Sequence, residues 1–296
     1  MASGGRARRE RCDDAGCHAR RRWRGPRRRV AMVPRASRVR RHRHHLRHMH
    51  RRIQPVPLPA PHDRFRPDAE DHKRRASFDP FVVGSVSRAE GIFFAGGDQS
   101  DYVRIWKDTP VETAVNGVIA RGGVVGGISA GLAILGQFLF AAEKNTITSS
   151  KALADCFNMK ITLEQDMVDI PTLASTITDS HFTDRGRLGR LMTFMARTIR
   201  DGWSTDTKGI GVDGFTAALL EPDGTATVIG DANVSFLRMR SDDVTTCERA
   251  EPLQTRFIEL HVLHDGDTFN VTTWTGDPNP PLLVRAQDGG LIWGTP

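Results

Sequence analysis

Residues 122–131 read Gly-Gly-Val-Val-Gly-Gly-Ile-Ser-Ala-Gly. Val124-Val125 suits a short buried strand, the glycines a tight turn, and the apolar run Leu132 to Ala142 a helix. Gly127 to Gly131 also fits G-x-S-x-G, the pattern of a strand-to-helix turn that lifts a serine hydroxyl clear of a sheet. Only glycine tolerates the crowding on either side of that hydroxyl. The turn sets the backbone N–H of Ala130 beside Ser129 at a helix N-terminus, where negative charge on an oxygen is stabilised. The same residues also describe a plain glycine-rich turn with an incidental serine, and the pentapeptide alone does not separate the two.

Upstream, Gly91-Ile92-Phe93-Phe94 is a short apolar run ending in Ala95-Gly96-Gly97-Asp98-Gln99, a strand followed by a turn of small residues. Thr109 to Arg121 predicts a helix, with Thr109 as cap, Pro110 at the first position and Glu112 three residues after the cap. Strand, helix, strand, helix implies a parallel sheet covered by helices on both faces. Sites in such sheets lie at the carboxyl ends of the strands, where Gly96-Gly97 and Ser129 would both sit.

Downstream, residues 177–190 read Ile-Thr-Asp-Ser-His-Phe-Thr-Asp-Arg-Gly-Arg-Leu-Gly-Arg. His181 lies in a polar, turn-like context after a β-prone segment, which suits a general base that must reach a hydroxyl; a solvated loop histidine is the plainer alternative. His261 and His264 fall in an alternating strand pattern and read as sheet residues. Arg185, Arg187 and Arg190 open a helix from Leu188 to Arg200. Cations at a helix start oppose its dipole, a cost easier to understand if they face an anionic ligand.

Charge is very uneven along the 296 residues. Residues 1–80 hold 24 of the 42 Lys+Arg and 8 of the 35 Asp+Glu, so the net +7 divides into +16 for the head and −9 for residues 81–296. The basic total therefore says nothing about partners of the folded part, for which nucleic acid is not expected. Residues 1–53 are rich in Arg and His without a period of two or 3.6, and disorder is the expectation. Transit peptide, nucleic-acid arm, histidine-rich metal tract and a segment that is not native coding sequence are all open readings of that head. Residues 54–80 read as a proline-rich linker. Cys12, Cys17, Cys156 and Cys247 show no framework spacing, and no window approaches the roughly 18 apolar residues of a membrane span. A reducing compartment, the cytoplasm, is the expectation, with no membrane association.

Six motifs together resemble the cyanophycinases and aspartyl dipeptidases. They are GGDQ at 96–99, W-x-x-TP at 106–110, GGISAG at 126–131, TSSKALAD at 148–155, DSHFTDRGRLGRL at 179–191 and GIGVD at 209–213. The likeness spans about residues 83–275. It implies a serine peptidase on a class I glutamine-amidotransferase-like, flavodoxin-like fold: an α/β three-layer α/β/α sandwich with a mostly parallel central sheet. By resemblance, Ser129 is the nucleophile and His181 its base, Gly96 and Gly97 join Ala130 around the oxyanion, and Gln99, Asp179, Arg185, Arg187 and Arg190 line the substrate pocket. The implied substrate is cyanophycin-like, a β-Asp-Arg polymer, or an Asp-containing peptide; no cofactor or metal is implied, and a homodimer is left open.

Two departures stand out. The family carries an acidic residue where this chain has Gly214, so Asp213 is a candidate third catalytic member and a catalytically impaired binding protein is the rival reading. The family's first glycine-rich strand has no counterpart in residues 1–80, which leaves 81–296 as the expected catalytic domain.

Overall fold

The computed structural model describes residues 67–276 and 279–294, all within the unit Pro61–Pro296. The arginine- and histidine-rich stretch, its metal-tract and nucleic-acid readings, and Cys12 and Cys17 lie outside the described residues.

The expected linker is folded in its second half. A helix Pro67–Ala76 precedes a helix Pro80–Ser87, which Asp79 caps by accepting from the N–H of Phe81 at 2.7 Å. Arg74 donates to the carbonyls of Arg104 and Lys107 at 2.6 and 3.0 Å, and the buried Ser77 hydroxyl donates to that of Ile105 at 2.9 Å. A boundary at residue 80 therefore cuts through packed structure. Proline here supplies helix starts, Pro67 and Pro80, where its missing N–H loses nothing.

Strand β1, Gly91–Phe94, leads through the helices Gln99–Trp106 and Pro110–Ala120 to β2, Val124–Gly127, and the two strands pair in parallel. Thr109 is the N-cap of the second helix, but its hydroxyl donates back to Trp106 O at 2.5 Å, and Glu112 instead accepts from the N–H of Asp108. The apolar run after Ser129 corrects the expected long helix. It forms one helical turn, Ala130–Ala133, and then β3, Phe138–Phe140. A fully buried strand and a buried helix have the same uninterrupted apolar signature, so periodicity cannot tell them apart.

Next come the helix Ser149–Ala154, β4 (Leu163–Gln165), β5 (Thr176–Ser180), the helix Leu188–Arg200 and β6 (Asp206–Val212). The remaining strands are β7 (Thr216–Leu220), β8 (Thr225–Gly230), β9 (Val234–Arg240), β10 (Val244–Thr246), β11 (Gln254–Thr255), β12 (Ile258–Leu263), β13 (Thr268–Asn270), β14 (Leu282–Gln287) and β15 (Gly290–Gly294). His261 lies in β12, and His264 directly follows it.

The α/β class holds, but the sheet is mixed. Its eight strands run β15-β14-β12-β9-β6-β5-β3-β4, with parallel pairing only where β5 meets β3 and β6. The other pairs are antiparallel. Parallel neighbours need a long crossover, which the helix Leu188–Arg200 supplies between β5 and β6; beyond β6 the strands return through short turns and loops. Nor do helices cover both faces there. Leu237 and Met239 of β9 pack with Leu191 and Met195 of that helix, whereas Val234 and Phe236 pack with Val228 and Phe269 of a small sheet β7-β8-β13. The alternation along β9 separates these two cores, and a third gathers around Phe94, Val115 and Ile134.

Cys156 and Cys247 form a disulfide across 91 residues of sequence, with Cα atoms 5.4 Å apart. The pair carries no signal in the sequence, because local spacing reveals only local frameworks.

Candidate active site

Ser129 stands at the carboxyl end of β2 with φ 53° and ψ −113°, a conformation side chains rarely adopt. The chain reaches it by close backbone contact. A β-carbon on Gly127 would lie 2.2 Å from the carbonyl oxygen of Gly131, and one on Gly131 would lie 2.2 Å from that of Phe94. The elbow is held against β1 by the N–H of Ile128, which donates to Phe94 O at 3.1 Å, and against β5 by Thr178 Oγ1, which donates to Leu132 O at 2.7 Å. Gly96 lies across from it, its β-carbon position 3.4 Å from Ser129 Cβ, and Gly97 follows at φ 147°. Ala130 is the first helical residue, so its N–H has no acceptor within the helix.

His181 sits at the carboxyl end of β5, also at positive φ, 47°. Its Nε2 is 3.1 Å from Ser129 Oγ, within hydrogen-bond reach across 52 residues of sequence. Burial, reinforced by the cations of Arg185 and Arg187, holds the imidazole below its ordinary pKa against the opposing pull of Asp184 and Asp179. The ring is therefore neutral near pH 7 and can accept a proton.

Asp213 does not face this pair. Its Oδ1 accepts from the N–H of Thr183 at 2.7 Å and its Oδ2 from that of Asn233 at 3.3 Å, so it pins the loop that carries His181. The expected third catalytic member thus bonds backbone N–H groups and makes no hydrogen bond to the His181 ring.

The arginines divide as well. Arg190 is 3% exposed and donates through Nε and Nη2 to Asp179 at 2.7 and 2.5 Å, and through Nη1 to Thr146 Oγ1 at 3.1 Å. The equally buried Asp179 also accepts from Arg187 at 3.1 Å. Arg190 and Asp179 are thus a buried internal ion pair, correcting the expectation that both line a substrate pocket. Arg187 is half-committed. It also donates to Ser180 O at 2.6 Å, and burial lowers it to about 10, which leaves it charged at neutral pH. Arg185 is exposed. Gln99 opens the helix after Gly96-Gly97, whose N-cap Asp98 accepts from Ser100 N at 3.0 Å.

Two further residues had no signal in residue type. Ser149, within the 148–155 motif, accepts from the N–H of Arg190 at 3.1 Å and donates to Gly186 O, tying that motif to the arginine block. Asp184 acts on the imidazole of His181. Its place became legible only once the turn after His181 was seen.

A serine hydroxyl raised on a strained strand-to-helix turn and paired with a neutral histidine defines a hydrolase-type site. The chain belongs to Peptidase family S51, which matches residues 1–160. The likeness expected from the motifs spans about residues 83–275, so the two overlap over residues 83–160. Among characterised relatives, the cyanophycinase of Synechococcus elongatus is 30% identical over 196 residues, 65% of this chain and 56% of that protein. The cyanophycinase of Nostoc sp. is 29% identical over 195 residues, 64% of this chain and 60% of that protein. The chain therefore spans less than two thirds of the length of these relatives. A crystal structure of a peptidase from an acI-B1 Actinobacterium aligns at TM-score 0.41 and 20% identity, over 67% of this chain and 66% of that one. No helix among the described residues is long and apolar enough to cross a membrane.

Proposed function

We propose that the protein is a serine-type peptidase in which Ser129 attacks a peptide carbonyl and His181 moves the proton. The observation that carries this is the 3.1 Å approach of His181 Nε2 to Ser129 Oγ on a backbone at positive φ. As Oγ bonds to the carbonyl carbon, its proton passes to Nε2. The carbonyl oxygen takes the negative charge, toward the N–H of Ala130 and the Gly96-Gly97 turn. Collapse breaks the C–N bond, and Nε2 returns the proton to the departing amine. Water then attacks the acyl-serine, giving a proton to Nε2; collapse breaks the bond between the acyl carbon and Oγ, Nε2 returns the proton to Oγ, and the acid is released.

The substrate is a β-Asp-Arg polymer or an Asp-containing peptide. Support comes from the cyanophycinase relatives and from Arg185, the exposed cation beside His181, which suits a substrate carboxylate. A catalytically impaired binding protein is the second reading, favoured by one observation: among the described residues the His181 ring makes no hydrogen bond other than that to Ser129. Incubation of the full chain with cyanophycin, β-Asp-Arg and Asp-Leu, with products read by mass, tests the proposal. Cleavage lost in Ser129→Ala supports it, and intact substrates with a folded chain support the second reading.

A further inference from the structure

A histidine that takes a proton from serine works best with its other nitrogen held by a carboxylate, which fixes the tautomer and stabilises the imidazolium that forms. Asp213 is occupied with Thr183 and Asn233. Asp179 is occupied with Arg187 and Arg190. The carboxylate left is Asp184. A tight turn follows His181, with Arg185 N donating to His181 O at 3.3 Å, Gly186 N to Thr183 O at 3.0 Å and Arg187 N to Phe182 O at 2.8 Å. Residue 184 thus lies within the turn that closes on the His181 carbonyl, and its charge acts on the imidazole. Asp184 makes no hydrogen bond or close ion pair among the described residues, and it is exposed. Its Oδ2 lies 3.1 Å from where a β-carbon on residue 214 would stand. A side chain at 214 and the carboxylate at 184 therefore compete for one space, and Gly214 leaves it to Asp184.

We propose that Asp184 is the positioning carboxylate of His181, supplied by the turn after β5 instead of by the segment after β6. It takes no proton itself. It holds the ring with Nε2 toward Ser129 and balances the charge gained when Oγ gives up its proton. The inference rests on the serine-peptidase reading. The charged groups facing His181 are Arg185 and Arg187, which disfavour its cation, and Asp184 and Asp179, which favour it.

The test is the rate at which a fluorophosphonate probe labels Ser129 in the full chain, followed across pH. Asp184→Asn, a nearly isosteric change at an exposed position, should slow labelling by about 10–100-fold, less than the ~10⁴ of a buried orienting acid. It should also move the pH midpoint down, because a charge favouring the imidazolium is gone. Asp184→Glu should keep most of the rate, and Gly214→Glu should restore rate to Asp184→Ala. Wild-type labelling with an unchanged rate and midpoint in Asp184→Asn overturns the inference and leaves the peptidase reading standing. A folded wild-type chain that does not label overturns that reading, and this inference with it.

Discussion

Arg190 grips Asp179 through two nitrogens, at 2.7 and 2.5 Å, and both residues are 3% exposed. Stripping one partner leaves a buried charge uncompensated, which costs about 3–5 kcal/mol. Arg190→Ala and Asp179→Ala should therefore lower the midpoint of denaturant unfolding sharply. Any loss of activity should follow the loss of fold. Full stability in either variant would return these residues to a substrate-binding role.

Arg185 should behave in the opposite way. Arg185→Gln is expected to leave the unfolding midpoint unchanged and to raise KM for acidic peptides about tenfold, the low end for a charge-assisted bond at an exposed site. Neutral peptides should be little affected. The substitution also removes a cation that lowers the His181 pKa, so the acid limb of kcat/KM should move to higher pH. In the wild type that limb should lie below about 6.5, the ordinary imidazole value, since activity requires the neutral ring.

For Asp213, the expected result is a structural one. Asp213→Asn keeps one oxygen acceptor and loses the other, so stability should fall by about 1–2 kcal/mol through the unpaired N–H of Thr183 or Asn233. The accompanying change in kcat should stay below about tenfold. A drop of ~10³ or more, measured on folded protein, would show that the carboxylate serves His181 directly.

The disulfide makes a prediction about redox conditions. Joining Cys156 to Cys247 closes 91 residues, worth about 4–5 kcal/mol in the chain-entropy view. Unfolding with and without a thiol reductant should differ by that order, and Cys247→Ser should match the reduced wild type. Indistinguishable curves would mean that the link adds nothing to stability.

The parts of this site legible in the sequence were those with local causes. Gly127 and Gly131 announce a turn because no other residue fits the gaps, and His181 stands out because it follows a β-prone segment in a turn-like context. What stayed hidden depends on tertiary placement. Arg190 and Arg185 are indistinguishable as residue types at a helix start, yet one is buried against Phe140 and Phe194 while the other is exposed. Phe138 to Phe140 became a strand because β5 and β4 flank it, which an apolar run alone does not announce. The antiparallel half of the sheet follows from the lack of crossover helices after Asp206, an architectural fact spread over ninety residues.

The central claim is a working Ser129-His181 pair, and the most direct measurement is fluorophosphonate labelling of the full chain, located by mass spectrometry. One equivalent of label is expected on Ser129, none in Ser129→Ala, and labelling slowed by about 10²-fold or more in His181→Ala. A folded chain that takes up no label, or carries it on another residue, would contradict it.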